Sequence, residues 1–471
     1  MIIPFPASSS EALAETPKAS VLDLIGNTPL VRVRNIDTGV CELYLKLESQ
    51  NPAGSIKDRI ALSMIEAAER EGKIKTGDTL VEATAGNTGL GLALVASQKG
   101  YKLILVIPDK MSQEKIFHIK AMGAEVIMTR SDVGKGHPDY YQDKAKRIAD
   151  ETPNAFYINQ FENPANPLTH EVSTGPEIWE QMGHHIDAMV CGVGSGGTMT
   201  GIGRYFHRVS PQTEMILADP KGSVLAPLVN HGIEVEAGSW LVEGIGEDFV
   251  PQNCELSLIK HAYTISDEES ISTSREVLKK EGILCGSSSG TLIAAALKYC
   301  RAQKKPKRVV TFVCDSGNKY LSKIYNQFWM QDQGFSDDVE THDLRDLIAR
   351  PFLRGDVVSV SEQDTLQQVY AKMKTFDVSQ VPVLDGNKIV GLINETDVLL
   401  AVVGNPSGFS ISAGTIMSGK FSKIPVTSEV TDLLPVLEQG RVVAVIDRDQ
   451  FLGLITPIDF LNYLRKRTGQ A

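Results

Sequence analysis

From Val21 to about residue 330 the chain alternates between two kinds of stretch. Short, nearly continuous apolar runs at 43–47, 79–82, 103–107, 125–128, 188–193, 215–218 and 309–314 read as strands. Between them apolar residues recur at helical spacing, as at Ile60, Ala61, Met64, Ile65 and Ala68 behind Asp58. Strands that are apolar on both faces and separated by helices predict an α/β fold of parallel sheets covered on each side. Ligands of such sheets sit at the carboxyl ends of the strands, so the loops there carry the functional reading.

The pattern changes at both ends. Residues 1–20, rich in Ser, Ala and Glu, have no periodic core and read as an arm, and residues 331–347 are acidic and poorly periodic, as a linker would be. Beyond the linker one pattern occurs twice. Val381-Pro382-Val383-Leu384 leads to Ile389-Val390-Gly391-Leu392-Ile393-Asn394-Glu395-Thr396-Asp397 and a helix; Val442–Ile446 leads to Phe451-Leu452-Gly453-Leu454-Ile455-Thr456-Pro457-Ile458-Asp459 and a helix. Two similar β-α-β-type units, at about 348–404 and 412–468, are expected to pack as a pair. Thr456 and Asp459 stand at a strand-to-helix junction where they could bind a ribose, with Asp397 closing the same pattern in the first unit. Either residue could equally be a plain helix cap.

Composition narrows the function. The 471 residues are 42% hydrophobic and 22% charged, enough for two or three globular domains. A net charge of -11 argues against a nucleic-acid footprint. No apolar run approaches a membrane span, and Met1-Ile2-Ile3-Pro4-Phe5-Pro6 lacks the basic region of a secretory signal. Cys41, Cys191, Cys254, Cys285, Cys300 and Cys314 are scattered without CxxC spacing, so reduced thiols in a cytoplasmic protein are expected. The nine histidines show no metal-ligand spacing.

The loops carry chemistry. In Gly54-Ser55-Ile56-Lys57-Asp58-Arg59 small residues precede a lysine at a loop-to-helix junction; held close and partly desolvated, its amine could form a Schiff base with an aldehyde cofactor. Thr84, Asn87 and Thr88, in Glu82-Ala83-Thr84-Ala85-Gly86-Asn87-Thr88-Gly89, cluster donors at a helix start, suited to a carboxylate or phosphate. Gly192-Val193-Gly194-Ser195-Gly196-Gly197-Thr198 satisfies GxGxxG, and Asp219 falls about where a ribose-binding acid would stand. The same loop fits a single phosphate monoester equally well. Ser287, Ser288 and Ser289 precede a further helix; one is expected to cap it, leaving a hydroxyl for a ring nitrogen. Asn159–Asn163 lies between these loops. In Val242–Asp248 the glycines allow a mobile loop, and Glu243 is either an acid–base group or a solvated charge.

Taken together, these loops make residues 20–330 resemble the β-family (fold-type II) pyridoxal-phosphate enzymes, most closely the cystathionine β-synthase family, with O-acetylserine sulfhydrylases as near relatives. Ile25-Gly26-Asn27-Thr28-Pro29-Leu30 resembles the family's opening motif. The resemblance implies a catalytic domain over 21–330, with two parallel-sheet subdomains and a mobile part at about 85–155. It implies Lys57 as Schiff-base residue and proton carrier, and Gly194, Ser195, Gly196, Gly197 and Thr198 as the cofactor's phosphate cup. Ser288 would face the pyridine nitrogen, and Asn87 the ring hydroxyl. Thr84, Ala85, Gly86, Asn87, Thr88 and Gln160 would hold the substrate carboxylate, with Glu243 and Gly244 lining the substrate side. The paired repeats within 348–471 resemble a Bateman module binding an adenosine ligand through Thr456, Asp459 and Asp397. S-adenosylmethionine is the leading expectation, with AMP or ATP as alternatives.

The implied reaction is transsulfuration: condensation of L-serine with L-homocysteine to L-cystathionine and water, by a homo-oligomer, a dimer or tetramer. Three positions depart from the family pattern: Ala85 for serine, Phe161 for tyrosine, and Asn394 for threonine in the first repeat. Phe161 keeps open cysteine synthesis from O-acetylserine and sulfide. An adenosine-ligand sensor with minor enzyme activity is a further alternative, and a GxGxxG dehydrogenase leaves Lys57, Asn87 and Ser288 unexplained. No Cys precedes Cys41 and no His precedes His118, so no haem is expected.

Overall fold

The computed structural model describes residues 17–84, 86–109, 113–130, 132–134, 136–335 and 341–467. The chain divides into two compact units, one through Ile324 and one from Tyr325.

The first unit holds two sheets. One has the order β1 (Leu30–Arg32), β2 (Glu42–Leu47), β10 (Arg308–Val313), β7 (Ala188–Cys191), β8 (Glu214–Pro220), β9 (His261–Ile265). All its pairings are parallel except β1 with β2. The other, wholly parallel, runs β5 (Glu125–Thr129), β4 (Lys102–Pro108), β3 (Thr79–Ala83), β6 (Ala155–Tyr157). Every apolar run read as a strand is one, and the parallel α/β expectation holds. The short strands β1, β6 and β9 were not expected: the first two are three residues long, and polar residues interrupt the third.

Burial explains the rest. The helix Lys57–Arg70 buries Ile60, Ala61, Met64, Ile65 and Ala68, the face its spacing predicted. It packs on the helix Asn87–Lys99, where a Cβ on Gly91 would come 3.0 Å from the Lys57 carbonyl. Glycine there lets the helix carrying Lys57 lie directly against the donor-rich loop.

In the second unit β11 (Gln380–Asp385) and β12 (Lys388–Asn394) form a hairpin leading to the helix Glu395–Val402. Their counterparts β14 (Val442–Asp447) and β15 (Gln450–Ile455) lead to the helix Pro457–Arg467. A further strand, β13 (Phe421–Pro425), runs parallel to β14; in the first repeat it shrinks to a single bridge between Val360 and Val383. The repeats are thus β-α-β-β-α units, one strand and one helix longer than the β-α-β expected. Part of the expected linker also folds: Leu344 and Leu347 are buried with Ile424, Val443 and Ile455. Positions 1–16 and 336–340 lie outside the described residues; Ser20 caps the turn Val21–Leu24.

Candidate active site

Lys57 is positioned by a loop stitched to the end of β10. The Ile56 amide donates to the Cys314 carbonyl at 2.9 Å, and the Ser316 amide donates to the Gly54 carbonyl at 3.1 Å. Gly54 has a φ of +80°, which a side chain would strain. Asp58 is buried and accepts from the Ala53 amide at 2.6 Å; burial raises its carboxyl to about 7. The Lys57 amine itself has no hydrogen-bond or ion-pair partner among the described residues. Burial lowers its pKa, against the opposing pull of Cys314, Asp315 and Glu247.

Facing it is the loop ahead of the helix Asn87–Lys99. Gly86, not a threonine or asparagine side chain, stands at the cap, so Thr84 and Asn87 are spared that duty. The Asn87 amide donates to Asp315 Oδ2 at 2.8 Å, and its oxygen accepts from Lys319 Nζ at 2.8 Å. Lys319 also reaches the Gly54 carbonyl at 3.1 Å, joining the two loops. Thr88 Oγ1 donates to Gln160 Oε1 at 2.7 Å, which brings Gln160 to the Thr84–Thr88 loop. The Thr84 hydroxyl accepts from the Gly86 amide at 3.3 Å, whereas Ala85 lies outside the described residues.

The glycine-rich loop follows β7 and opens the helix Gly197–Val209. Its glycines are required by packing: a Cβ on Gly194 would stand 2.6 Å from the Gly244 carbonyl, and one on Gly197 only 1.9 Å from Asn166 Oδ1. Ser195 Oγ accepts from Asn166 at 2.8 Å, and Thr198 Oγ1 meets His170 Nε2 at 3.2 Å. Asn166 also donates to the Gln160 carbonyl at 2.7 Å, tying this loop to the residue that Thr88 bonds. His170 is fully buried and its pKa is pushed well below the ordinary value by burial, then by Arg59 and Lys57, so it stays neutral. Asp219, the candidate ribose ligand of a dehydrogenase, instead receives the Ala226 amide at 2.8 Å.

All three serines of the third loop are free of capping, since Gly286 stands at the cap of the helix Ser287–Arg301. Ser287 accepts from the Glu243 amide at 3.1 Å and Ser289 from the Cys314 amide at 2.9 Å. Ser288 lies beside the Cys314 thiol, which burial raises to about 12. The expected capping serine therefore does not exist; the hydroxyls hold neighbouring loops instead.

The partners of Glu243, and Glu82, escaped the sequence. Glu243 is neither lone nor solvated: it pairs with Lys115 at 2.5 Å and with Lys323 at 2.7 Å. Burial pushes its carboxyl up, but the two lysines prevail and hold it below the usual range. Lys115 also reaches the Tyr320 hydroxyl at 3.1 Å, which donates to Asp315 at 2.7 Å. This clasp joins the helix Gln113–Ala121 of the 85–155 segment to the loop bearing Glu243 and Gly244. Gly244, at φ +90°, lies exposed. Under Gln160 lies Glu82, whose Oε1 accepts the Gln160 amide at 3.3 Å and whose Oε2 has no partner among the described residues. Burial raises it to about 8.

In the second unit Thr456 and Asp459 are brought together, the threonine hydroxyl donating to Asp459 Oδ2 at 2.5 Å. Both line a cavity of about 260 Å³ with Arg350, Asp377 and Gln380. Asp397 is not among its lining residues; it is held in a capping box with Asn394.

The first unit fits pyridoxal phosphate. The lysine amine has no partner among the described residues, the Ser288 hydroxyl lies beside Cys314, whose thiol acts on that amine, and a helix start built from tightly packed glycines offers first-turn amides without intrahelical acceptors. Among the described residues no group of His, Cys, Asp or Glu is placed to hold a metal, and no helix is long and apolar enough to cross a membrane.

Comparison with known proteins gives the same reading. Residues 21–315 match the family described as pyridoxal-phosphate dependent enzyme, and residues 345–404 match the CBS domain. A cystathionine beta-synthase of Dictyostelium discoideum is 36% identical over 95% of this chain and 92% of its own length. A cysteine synthase of Staphylococcus aureus is 44% identical over 66% of this chain and 97% of its own. The structure of a hydrogen sulfide-producing enzyme from Fusobacterium nucleatum, 38% identical, covers 65% of this chain and all of its own with a TM-score of 0.61. A lysine left unpaired among glycine- and hydroxyl-rich loops, and likeness along nearly the whole chain, place this protein in the pyridoxal-phosphate-dependent enzyme family, in its cystathionine β-synthase branch with a C-terminal CBS domain.

Proposed function

We propose that the protein condenses L-serine with L-homocysteine, releasing water and forming L-cystathionine. The observation that carries this reading is the unpartnered Lys57 amine, held opposite a carboxylate-binding loop inside a chain whose two-part layout is shared with its cystathionine synthase relatives. Bound pyridoxal phosphate would supply an electron sink at the substrate's Cα. Lys57, Gly194–Thr198, Asn87 and Ser288 would hold it. Thr84, Thr88 and Gln160 orient the substrate carboxylate, so that the Cα proton faces Lys57. The depressed pKa leaves the Lys57 amine able to take that proton and pass it to the departing β-hydroxyl. The hydroxyl of Ser288 is too weak an acid to hold a full positive charge on a ring nitrogen, which favours loss of the β-substituent. The Lys115–Glu243–Lys323 clasp ties the 85–155 segment to the Glu243 loop and would hold the cleft closed against water while substrate is bound.

The test is a product assay with purified enzyme, serine and homocysteine, alongside O-acetylserine and sulfide. Cystathionine formation at the higher kcat/KM supports the proposal; faster cysteine formation replaces it with the second reading. That reading is favoured by Phe161, which packs on Phe249 with ring centroids 5.7 Å apart and brings no hydroxyl to the site.

An adenosine ligand is proposed for the cavity at Thr456 and Asp459, where a carboxylate suits ribose hydroxyls and Arg350 an anionic group. Thermal shifts with S-adenosylmethionine, AMP and ATP test it; no shift with any of them rejects it.

A further inference from the structure

We propose that Glu247 selects an amino-acid thiol as the second substrate by receiving its ammonium group. This rests on the β-replacement reading above. Glu247 lies in the glycine-rich turn after Glu243, half-buried, on the side of the cleft facing the Gly194 loop. Its Oε1 is 3.9 Å from the position a Cβ on Gly194 would take, and its charge is felt at Lys57 and at Tyr141 of the 85–155 segment. The backbone holds it there. Its amide donates to Ser223 Oγ at 3.2 Å, and its carbonyl accepts from the Val224 amide at 3.1 Å.

The side chain, by contrast, has no hydrogen-bond or ion-pair partner among the described residues. Four other carboxylates round the cleft each have a partner, though Asp315 Oδ1 and Asp219 Oδ1 have none among the described residues. Asp315 is held by Asn87 and Tyr320, Glu243 by two lysines, Asp58 by the Ala53 amide and Asp219 by the Ala226 amide. Burial, reinforced by Asp248 and Asp219 and opposed by Lys57, holds the Glu247 carboxyl well above the ordinary range. A group so placed lacks a cation, and a ligand that brings one ionises it and pairs with it.

The chemistry of the two substrates says which cation. The first amino acid spends its amino group in joining the cofactor, and its carboxylate belongs to the Thr84–Thr88 loop. A second amino acid entering beside Lys57 carries an ammonium for which those donor-rich loops have no acceptor. Sulfide carries none and gains nothing from Glu247. A charge-assisted hydrogen bond to the ammonium favours an amino-acid thiol by about tenfold to a hundredfold.

The experiment compares wild-type holoenzyme with Glu247→Gln, using homocysteine, its amine-free analogue 4-mercaptobutyrate, and sulfide, with serine as first substrate. Wild type should prefer homocysteine over the analogue, and Glu247→Gln should cut that kcat/KM ratio by about tenfold or more. Glu247→Asp should recover part of it. An unchanged ratio overturns the assignment, and loss of the visible cofactor band with the ratio intact shows that the carboxyl serves the phosphate loop instead. If wild type uses sulfide but neither homocysteine nor cysteine, the β-replacement reading with an amino-acid thiol fails first, and Glu247 has no such substrate to select.

Discussion

Lys46 and Lys57 belong to two regions of the catalytic unit, and burial lowers the pKa of both amines. Lys46 lies in a charged cluster behind the site. It donates to the Thr28 carbonyl at 2.6 Å and to Gln181 at 2.8 Å, and it pairs with Glu177. Arg59 completes that cluster with two 2.8 Å hydrogen bonds to Glu48. Lys57, only two residues before Arg59, faces the cleft with no such partner among the described residues. Desolvation alone does not mark a reactive lysine; desolvation without pairing does. The cluster also explains the family's opening motif, since Glu177 accepts from the Thr28 amide and Glu48 from its hydroxyl. That motif clamps the base of the Lys57 helix.

The contrast breaks if the two lysines behave alike. Lys57→Ala should lower kcat by at least about 10³-fold while leaving the melting temperature level or higher, because it removes a desolvated amine that has no partner among the described residues. Lys46→Met should do the reverse, costing about 1–3 kcal/mol in denaturant unfolding as Glu177 loses a counter-ion. An inactive but fully stable Lys46→Met would erase the distinction.

The same logic extends to carboxyls. Glu82 is buried with one oxygen unpartnered, and its pKa rises from 4.5 to about 8. A carboxyl raised on folding contributes stability that is present below 4.5 and is lost as pH rises through about 8. Glu82→Gln should therefore gain on wild type as pH is raised across that window, by up to about 5 kcal/mol, and gain no more above it. A constant difference across pH would mean that Glu82 keeps its ordinary pKa.

Glu243 is the paired counterpart. Its carboxyl is held below the ordinary range, so the clasp persists above the usual glutamate pKa and fails only as pH falls through the depressed value. Glu243→Gln should lower kcat/KM by about fivefold, corresponding to roughly 1 kcal/mol of closed-state stability. The smallest expected change is in the second unit: Asp459→Ala should abolish any nucleotide-induced thermal shift, and a shift that survives would move the ligand away from the Thr456 cavity.

Legibility in the sequence follows distance along the chain. The catalytic-unit loops are short-range features: glycines and hydroxyls between an apolar strand and a helix, where only a few residues decide the conformation. Gly194, Ser288 and Lys57 therefore stand out from residue order alone, as do the strands β3, β4, β7 and β10 from their continuous apolar runs. The capping expectation failed at 287–289 because any of several neighbouring hydroxyls, or a glycine, can occupy a cap, and the competing loops claim the serines. Likewise Asp397 and Asp459 hold matching sequence positions, yet only Asp459 lines the cavity.

The sequence by itself determined a parallel α/β catalytic unit, a duplicated C-terminal module, and a lysine among glycine- and hydroxyl-rich loops. Apolar periodicity and glycine conformational freedom act locally and leave a readable trace. Only the tertiary structure decided which charges are paired. Lys115 meets Glu243 across 128 residues and Lys319 meets Asn87 across 232. A Coulomb interaction depends on separation in space and on the surrounding dielectric, and neither is written in residue spacing.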